Sequence, residues 1–293
     1  MAQKIRKALI PAAGFGTRFL PQTKAMPKEM MPLVDKPIIQ RVVEELVDAG
    51  IETIVIVTGW HKRSIEDHFD TQYELEDKLE KGGKLKELEM VRKISNMAEF
   101  IYLRQKGPQG NATPILNAEH VMNGEPFMVF WGDDFIDAEP SRARQLIAAY
   151  EKYGTTILGG MKATADDHYN KYGFVAGDEV EDGVIKVKNI IEKPGKENAP
   201  SDLAIISGYV YTPDIYDALR EAVKTLPEGE ELVYTLGVDN MIKKGLDVHA
   251  LEIKDAVYRD TGNKLEYLKT VVDYGLKHPD FGEKFQEFLK TKV

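Results

Sequence analysis

Apolar and polar positions along the chain fall into blocks that read as strand, helix, strand. Residues 7–12, "KALIPA", are a continuous apolar run of the length of a buried strand. In "PIIQRVVEELVDA" (37–49), Ile38, Val42, Leu46 and Ala49 share one helical face, with Pro37 at the start and Gly50 just past the end. "TIVIVTG" (53–59) is a second buried strand, so the opening is the repeat of an open parallel sheet. From 70 to about 95 the chain is charged and helix-favouring, broken once at Gly82-Gly83, which predicts a solvated helical hairpin on the sheet's flank. Strands at 99–104, 127–131 and 155–162 alternate with helices at about 113–122 and 141–152. After 165 the texture changes: 172–176, 184–191 and 205–211 are short β-rich runs with few helices between them, predicting a mixed or antiparallel extension. Helices at 214–225, 233–244 and 264–277 close the fold, and 280–291 reads as a polar amphipathic tail. The expected class is α/β, an open mixed sheet flanked by helices. One domain spans 1–293, with a first part of about 1–163 and a β-rich second part of about 164–293.

Composition narrows the chemistry. A net charge of −9 disfavours a nucleic-acid partner, so any basic patch has to be local. The absence of cysteine excludes disulfides, iron–sulfur clusters and thiolate zinc sites. Lys4, Arg6 and Lys7 precede only about five apolar residues, too few for a signal peptide, and no apolar run nears the ~18–20 residues of a membrane span. A cytoplasmic address with no membrane partner is the expectation.

Against that acidic background, cations gather in "IPAAGFGTRFLPQTKAMPKEM" (10–30), at the carboxyl end of the first strand. A dinucleotide fingerprint would need a third glycine where Phe19 stands, and no Gly-x-x-x-x-Gly-Lys-[Ser/Thr] run occurs. A loop of small residues whose amides approach a phosphorylated ligand remains, with Arg18, Lys24 and Lys28 supplying charge. Two further strand ends carry carboxylates beside glycine, Asp133 in "WGDD" and Asp260 in "YRDTG". By itself either reads as a turn or a cap.

The run "PAAGFGTRFLPQTKAMPKEMMPLVDKPIIQ" resembles the signature of the sugar-phosphate nucleotidyltransferases, Gly-x-Gly-Thr-Arg followed by Pro-Lys. Glu29 after Lys28, the insert "YELEDKLEKGGK", "RQKGPQG", "YGFV", "IIEKP" and "YRDTGNKLEYLKTVVDYGLKH" are similar to the uridylyl-transferring bacterial branch of that family, across nearly the whole chain. The resemblance implies a Rossmann-like nucleotide-diphospho-sugar transferase fold, with a nucleotide-binding first part and a sugar-binding second part. It implies attack by glucose-1-phosphate on the α-phosphorus of UTP, giving UDP-glucose and pyrophosphate with Mg²⁺. It assigns Arg18, Lys28 and Lys193 to catalysis, and Ala12, Ala13, Gly14, Gly16, Thr17, Glu29, Gln105 and Gly110 to the nucleotide. Gly173, Glu192 and Lys193 fall to the sugar, and Asp133 and Asp260 to the metal. Asp134 is expected to cap or orient. Family members are commonly dimers or tetramers, so a homo-oligomer is implied.

The chain departs from the pattern in three places. "GNATPIL" replaces a Leu-Gly-His-Ala run, with Ala112 and Thr113 where glycine and histidine are usual. The usual Gln-Leu-Thr-Asp is lost in "LVYTLG", which leaves Thr235 to cap the helix that follows. The mildest is Asp-Thr-Gly at 260–262 where Asp-Cys-Gly is typical, which keeps the aspartate. The first departure keeps a thymidylyl or broad-specificity transferase as an alternative; a catalytically silent nucleotide-sugar sensor is another. His61 and His68 read as surface residues.

Overall fold

The computed structural model describes residues 2–292, the side chain of Ser207 apart. In chain order the strands are β1 (Lys7–Ala12), β2 (Pro32–Leu33), β3 (Lys36–Pro37), β4 (Thr53–Thr58), β5 (Glu99–Arg104), β6 (Phe127–Val129) and β7 (Phe135–Ala138). They continue with β8 (Thr156–Lys162), β9 (Gly173–Glu181), β10 (Val184–Glu192), β11 (Leu203–Tyr211), β12 (Val248–Glu252) and β13 (Ala256–Arg259). Nine of them make one sheet in the order β5-β4-β1-β6-β11-β8-β12-β10-β9. The first four are mutually parallel. β11 then runs antiparallel to both β6 and β8, and β12 lies parallel to β8.

The continuous apolar runs have a direct cause. Ala8, Leu9 and Ile10 of β1 and Ile54 to Val57 of β4 are fully buried, because helices cover both faces of this part of the sheet. Helix Ile38–Asp48 buries Ile38, Ile39, Val42, Val43 and Leu46 against one face. Helices Thr113–Asn117 and Glu119–Met122, backed by helices Asp214–Thr225 and Tyr234–Lys243, cover the other. The predicted charged hairpin is present as helices Tyr73–Lys81 and Leu85–Ser95, which lie between β4 and β5 in the chain. Arg92 Nε reaches Glu76 Oε2 at 2.8 Å across it.

Three expectations change. The helix expected at 113–122 is two short pieces, Thr113–Asn117 and Glu119–Met122. The strand expected at 127–131 stops at Val129, leaving 130–134 as loop. Residues 248–252, not read as a strand, form β12 and insert between β8 and β10, so one sheet carries both halves of the chain.

Two ribbons matter for the site. β2 pairs with β3 just past the cationic loop. β7 pairs antiparallel with β13 in the register Phe135↔Arg259, which sets Asp260 beside the segment that carries Asp133 and Asp134.

Candidate active site

β5, β4, β1 and β6 all end at the same edge of the sheet, where ligands of open α/β folds collect. Ala12 ends β1 opposite Thr58, whose carbonyl accepts from the Gln105 amide at 3.0 Å, so Gln105 and the Ala12-Ala13 backbone emerge at the same edge with the end of β4 between them. After Ala13 the chain turns through Gly16, whose φ of 66° is the left-handed region that favours glycine. Thr23 pins this turn by donating from Oγ1 to the Gly16 carbonyl at 2.7 Å. Thr17 opens the short turn Thr17–Phe19 and is exposed.

The loop brings Lys28 against Asp133, Nζ to Oδ2, at 2.5 Å. Burial acts against both charges, yet their attraction wins: the Lys28 pKa is held above the ordinary lysine value and that of Asp133 below the ordinary carboxylate value. Arg18 reaches the Gly262 carbonyl at 3.3 Å, tying the loop to the segment after Asp260. Thr261 Oγ1 donates to the Asp133 carbonyl, and Asp260 Oδ1 accepts from the Gly262 amide at 3.0 Å. Arg18, Lys28, Asp133 and Asp260, far apart in sequence, therefore line one cavity of about 540 Å³.

The same cavity is lined on its other side by Gly173, Glu192 and Lys193. Gly173 and Glu192 are register partners at the ends of β9 and β10. Lys193 has a φ of 46°, uncommon for a side-chain-bearing residue, and its amide donates to the Tyr172 carbonyl at 3.0 Å. Its ammonium is exposed, 3.7 Å from Glu192 Oε1. Burial pushes the Glu192 pKa up, against the pull of Lys193 and the Thr235 hydroxyl.

Other expected residues stand elsewhere. Glu29 is 1% exposed and does not line the cavity; its Oε2 takes Lys62 Nζ at 2.7 Å, with Lys62 equally buried. Here burial wins over attraction, drawing Glu29 up and Lys62 down. Lys24 is exposed and outside the cavity. Gly14 is exposed, and a Cβ built there would sit 3.8 Å from Lys28 Cε. Asp134 faces the fully buried Arg142 at 3.6 Å, and Arg142 also binds Glu45 at 2.8 Å and covers the Phe130 ring.

Gly110 is fixed by a backbone approach. A Cβ there would fall 2.1 Å from the Leu232 carbonyl oxygen, and Ala112 N donates to that same oxygen at 3.0 Å. Thr113 is buried, its hydroxyl on the Pro108 carbonyl at 2.7 Å. Thr235 does not cap its helix. Val233 holds the cap position, and Asn111 Oδ1 accepts the Tyr234 amide at 2.8 Å from across the fold. His61 and His68 are half-buried rather than surface residues: His61 stacks on Phe15, and His68 meets Gln40 Oε1 at 3.0 Å.

Sequence reasoning missed Lys62 and an aromatic lining made by Trp131, Tyr172, Tyr209, Tyr234 and Tyr258. Trp131, Tyr172, Tyr234 and Tyr258 fall inside "WGDD", "YGFV", "LVYTLG" and "YRDTG", where nothing local marks the ring itself, and Tyr209 is the first of two same-face aromatics in "GYVYTP" on β11.

The two carboxylates suit a hard divalent cation, which takes oxygen donors and keeps most of its positions for water and ligand oxygens. Among the described residues no three carboxylates or histidines converge, so protein would supply at most this pair.

A family profile described as "Nucleotidyl transferase" matches residues 7–275, and the chain belongs to that family. Within it, the chain is similar to UTP–glucose-1-phosphate uridylyltransferases: 43% identical over 288 residues to that of Staphylococcus epidermidis, covering 98% of each chain. The Bacillus subtilis enzyme of that name is 43% identical over 290 residues, covering 98% of this chain and 97% of its own. A UDP-glucose pyrophosphorylase solved with UDP-glucose superposes with a TM-score of 0.82 at 38% identity, covering 94% of this chain and 100% of the other. A UTP-bound enzyme from Acinetobacter baumannii superposes at 0.86 with 34% identity, covering 98% and 99%. Among the described residues no helix is long and apolar enough to cross a membrane.

Proposed function

We propose that the chain joins UTP to glucose-1-phosphate, giving UDP-glucose and pyrophosphate. The observation that carries the reading is that one cavity is lined both by the cations and carboxylates of the glycine loop's side and by the Glu192-Lys193 strand end. A sugar-phosphate oxygen forms the new bond to the α-phosphorus, and the bond to the bridging oxygen breaks with its electron pair leaving on pyrophosphate. No protein group need bond covalently to substrate, so the residues neutralise charge and align the two anions. Arg18 and Lys28 serve the triphosphate, Arg18 as a planar fork and Lys28 as a point charge. Lys193 serves the sugar phosphate, and Glu192 accepts from sugar hydroxyls. Backbone of Ala12, Ala13 and Gly14, with Gln105, matches the edge of the base. Glu29 acts from beneath, through its pairing with Lys62. Asp133 and Asp260 would hold Mg²⁺, which supplies charge neutralisation at the phosphates when bound. A cytoplasmic address goes with substrates of this kind.

Pyrophosphate release, measured across UTP, dTTP and other triphosphates against a panel of sugar-1-phosphates, tests the reading. UTP with glucose-1-phosphate should be the best pair; release from no pair would leave a sensor in its place. The assembly is proposed to be a dimer or tetramer, and light scattering that returns a monomer would refute that.

A further inference from the structure

Among the described residues, seven side chains carry a buried polar atom with no hydrogen-bond partner, and only two of them line the cavity: Glu192, through Oε2, and Tyr234, through its hydroxyl. Both atoms border the same small space. A Cβ built on Gly173 would lie 3.0 Å from the Tyr234 hydroxyl and 3.4 Å from Glu192 Oε2. Gly173, having no Cβ to fill that space, leaves a narrow niche walled by an acceptor, a phenol and the Thr235 methyl, the last 3.2 Å from the same point.

The Tyr234 ring is held where it is. Tyr234 is 4% exposed and stacks on Tyr209 with centroids 4.9 Å apart, and Tyr209 in turn meets Trp131 edge-on. Its backbone amide is fixed by Asn111. A ring so packed would serve equally well as phenylalanine, and burying a hydroxyl without a partner is unfavourable. The Tyr209 hydroxyl lies near enough to act on it but makes no hydrogen bond of normal geometry, so the Tyr234 hydroxyl gains a full partner only when something enters the niche. An alcohol is the matching group, because it can donate its proton to a carboxylate and accept from a phenol at once.

We propose that Tyr234 is a sugar-recognition residue whose hydroxyl donates to the same sugar hydroxyl that Glu192 accepts from. The proposal rests on reading the cavity as a sugar-1-phosphate site. It makes one hydroxyl of the sugar a paired requirement: a substrate without it leaves two buried polar atoms unmatched, whereas a substrate that keeps it satisfies both.

The test is Tyr234→Phe assayed against the sugar-1-phosphate that the wild-type protein uses best and its set of monodeoxy analogues. For the wild type, one deoxy analogue should fall in kcat/KM by at least about a hundredfold. Tyr234→Phe should lose about tenfold on the full sugar, and its penalty for that one analogue should shrink by the same factor. Its KM for UTP and its penalties for the other analogues should not move. A purely structural role would change every substrate alike, and that result, or an unchanged kcat/KM on the full sugar, overturns the proposal. A wild-type protein that turns over no sugar phosphate overturns the reading of the reaction, and this proposal with it.

Discussion

At the carboxyl end of β1 four charged groups form two pairs, Lys28 on Asp133 at 2.5 Å and Glu29 on Lys62 at 2.7 Å. Across the cavity, at the end of β10, Glu192 Oε2 and the Tyr234 hydroxyl make no hydrogen bond, and the Lys193 ammonium stands exposed. The difference follows from what each side is proposed to meet. Cations that face a polyanion repel one another in its absence, so carboxylates hold them apart and in place. Neutral sugar hydroxyls offer weak, directional bonds, and a protein group already bonded elsewhere has little left for them. The two pairs also differ from each other. The outer pair is shifted toward its charged forms, whereas the inner pair is drawn toward neutrality by burial. Coulomb attraction governs the first and desolvation the second.

The largest effect should come from the carboxylates. Asp133→Asn keeps size but removes charge, loosening Lys28 and removing an ion ligand, and should cut turnover on the order of 10³-fold. Asp260→Asn should behave similarly and need more magnesium; an unchanged magnesium dependence would end the idea that the two share an ion. Next is the inner pair. Lys62→Met leaves Glu29 buried alone and should cost about 3–5 kcal/mol of stability, whereas adding Glu29→Gln should recover most of it. Chemical denaturation of both variants reads this directly, and a single mutant as stable as wild type would show that Glu29 is neutral without its partner.

Smaller losses should separate the two sides. Arg18→Ala and Lys28→Ala should each remove about 2–4 kcal/mol of transition-state stabilisation, and wild-type efficiency in either would sink the loop's assignment. Lys193→Ala should raise the KM for glucose-1-phosphate while calorimetry finds UTP affinity intact; UTP affinity lost with it would dissolve the division between the sides.

The smallest effect is in pH. Glu192 binds its proton more tightly in the folded protein than in the unfolded chain. Its contribution to stability is therefore greatest below the ordinary carboxylate pKa and drains away as pH rises toward the raised one. Sugar recognition runs the opposite way, because the ionised form accepts. Affinity for UDP-glucose, which lacks a phosphate titrating near pH 6, should rise from about pH 4.5 upward and then level off. Lys193, Thr235 and Tyr234 face the carboxylate and remain in Glu192→Gln, which should be flat over that range. A slope that persists in this variant would assign the titration to another group.

What was legible in the sequence was whatever one segment declares alone. The cationic loop, the strand-end aspartates and the Glu-Lys before Pro194 each sit at a strand end visible from local pattern, and the fold brings Arg18, Lys28, Asp133, Asp260, Glu192 and Lys193 to one cavity. What stayed hidden needed a distance between segments. Lys62 is one more charge in a polar loop by local pattern, and only the fold sets it on Glu29, 33 positions earlier. β12 is only five residues long, with His249 at its second position and Glu252 at its end, so its apolar run is too short to announce a strand. Thr235 was expected to cap its helix because Thr is a good cap, and nothing local reveals that Asn111 already serves there.

That bond has a consequence for how such a chain changes over generations. Two of the stretches that depart from the pattern, "GNATPIL" and "LVYTLG", are 120-odd positions apart on paper but form a single seam in space. Leu232 lends its carbonyl to Ala112 and crowds out any side chain at Gly110, while Asn111 holds the helix that lost its own aspartate. The two stretches should therefore change together: replacing either one alone should misfit its counterpart, and a chimera carrying both replacements should keep the seam closed.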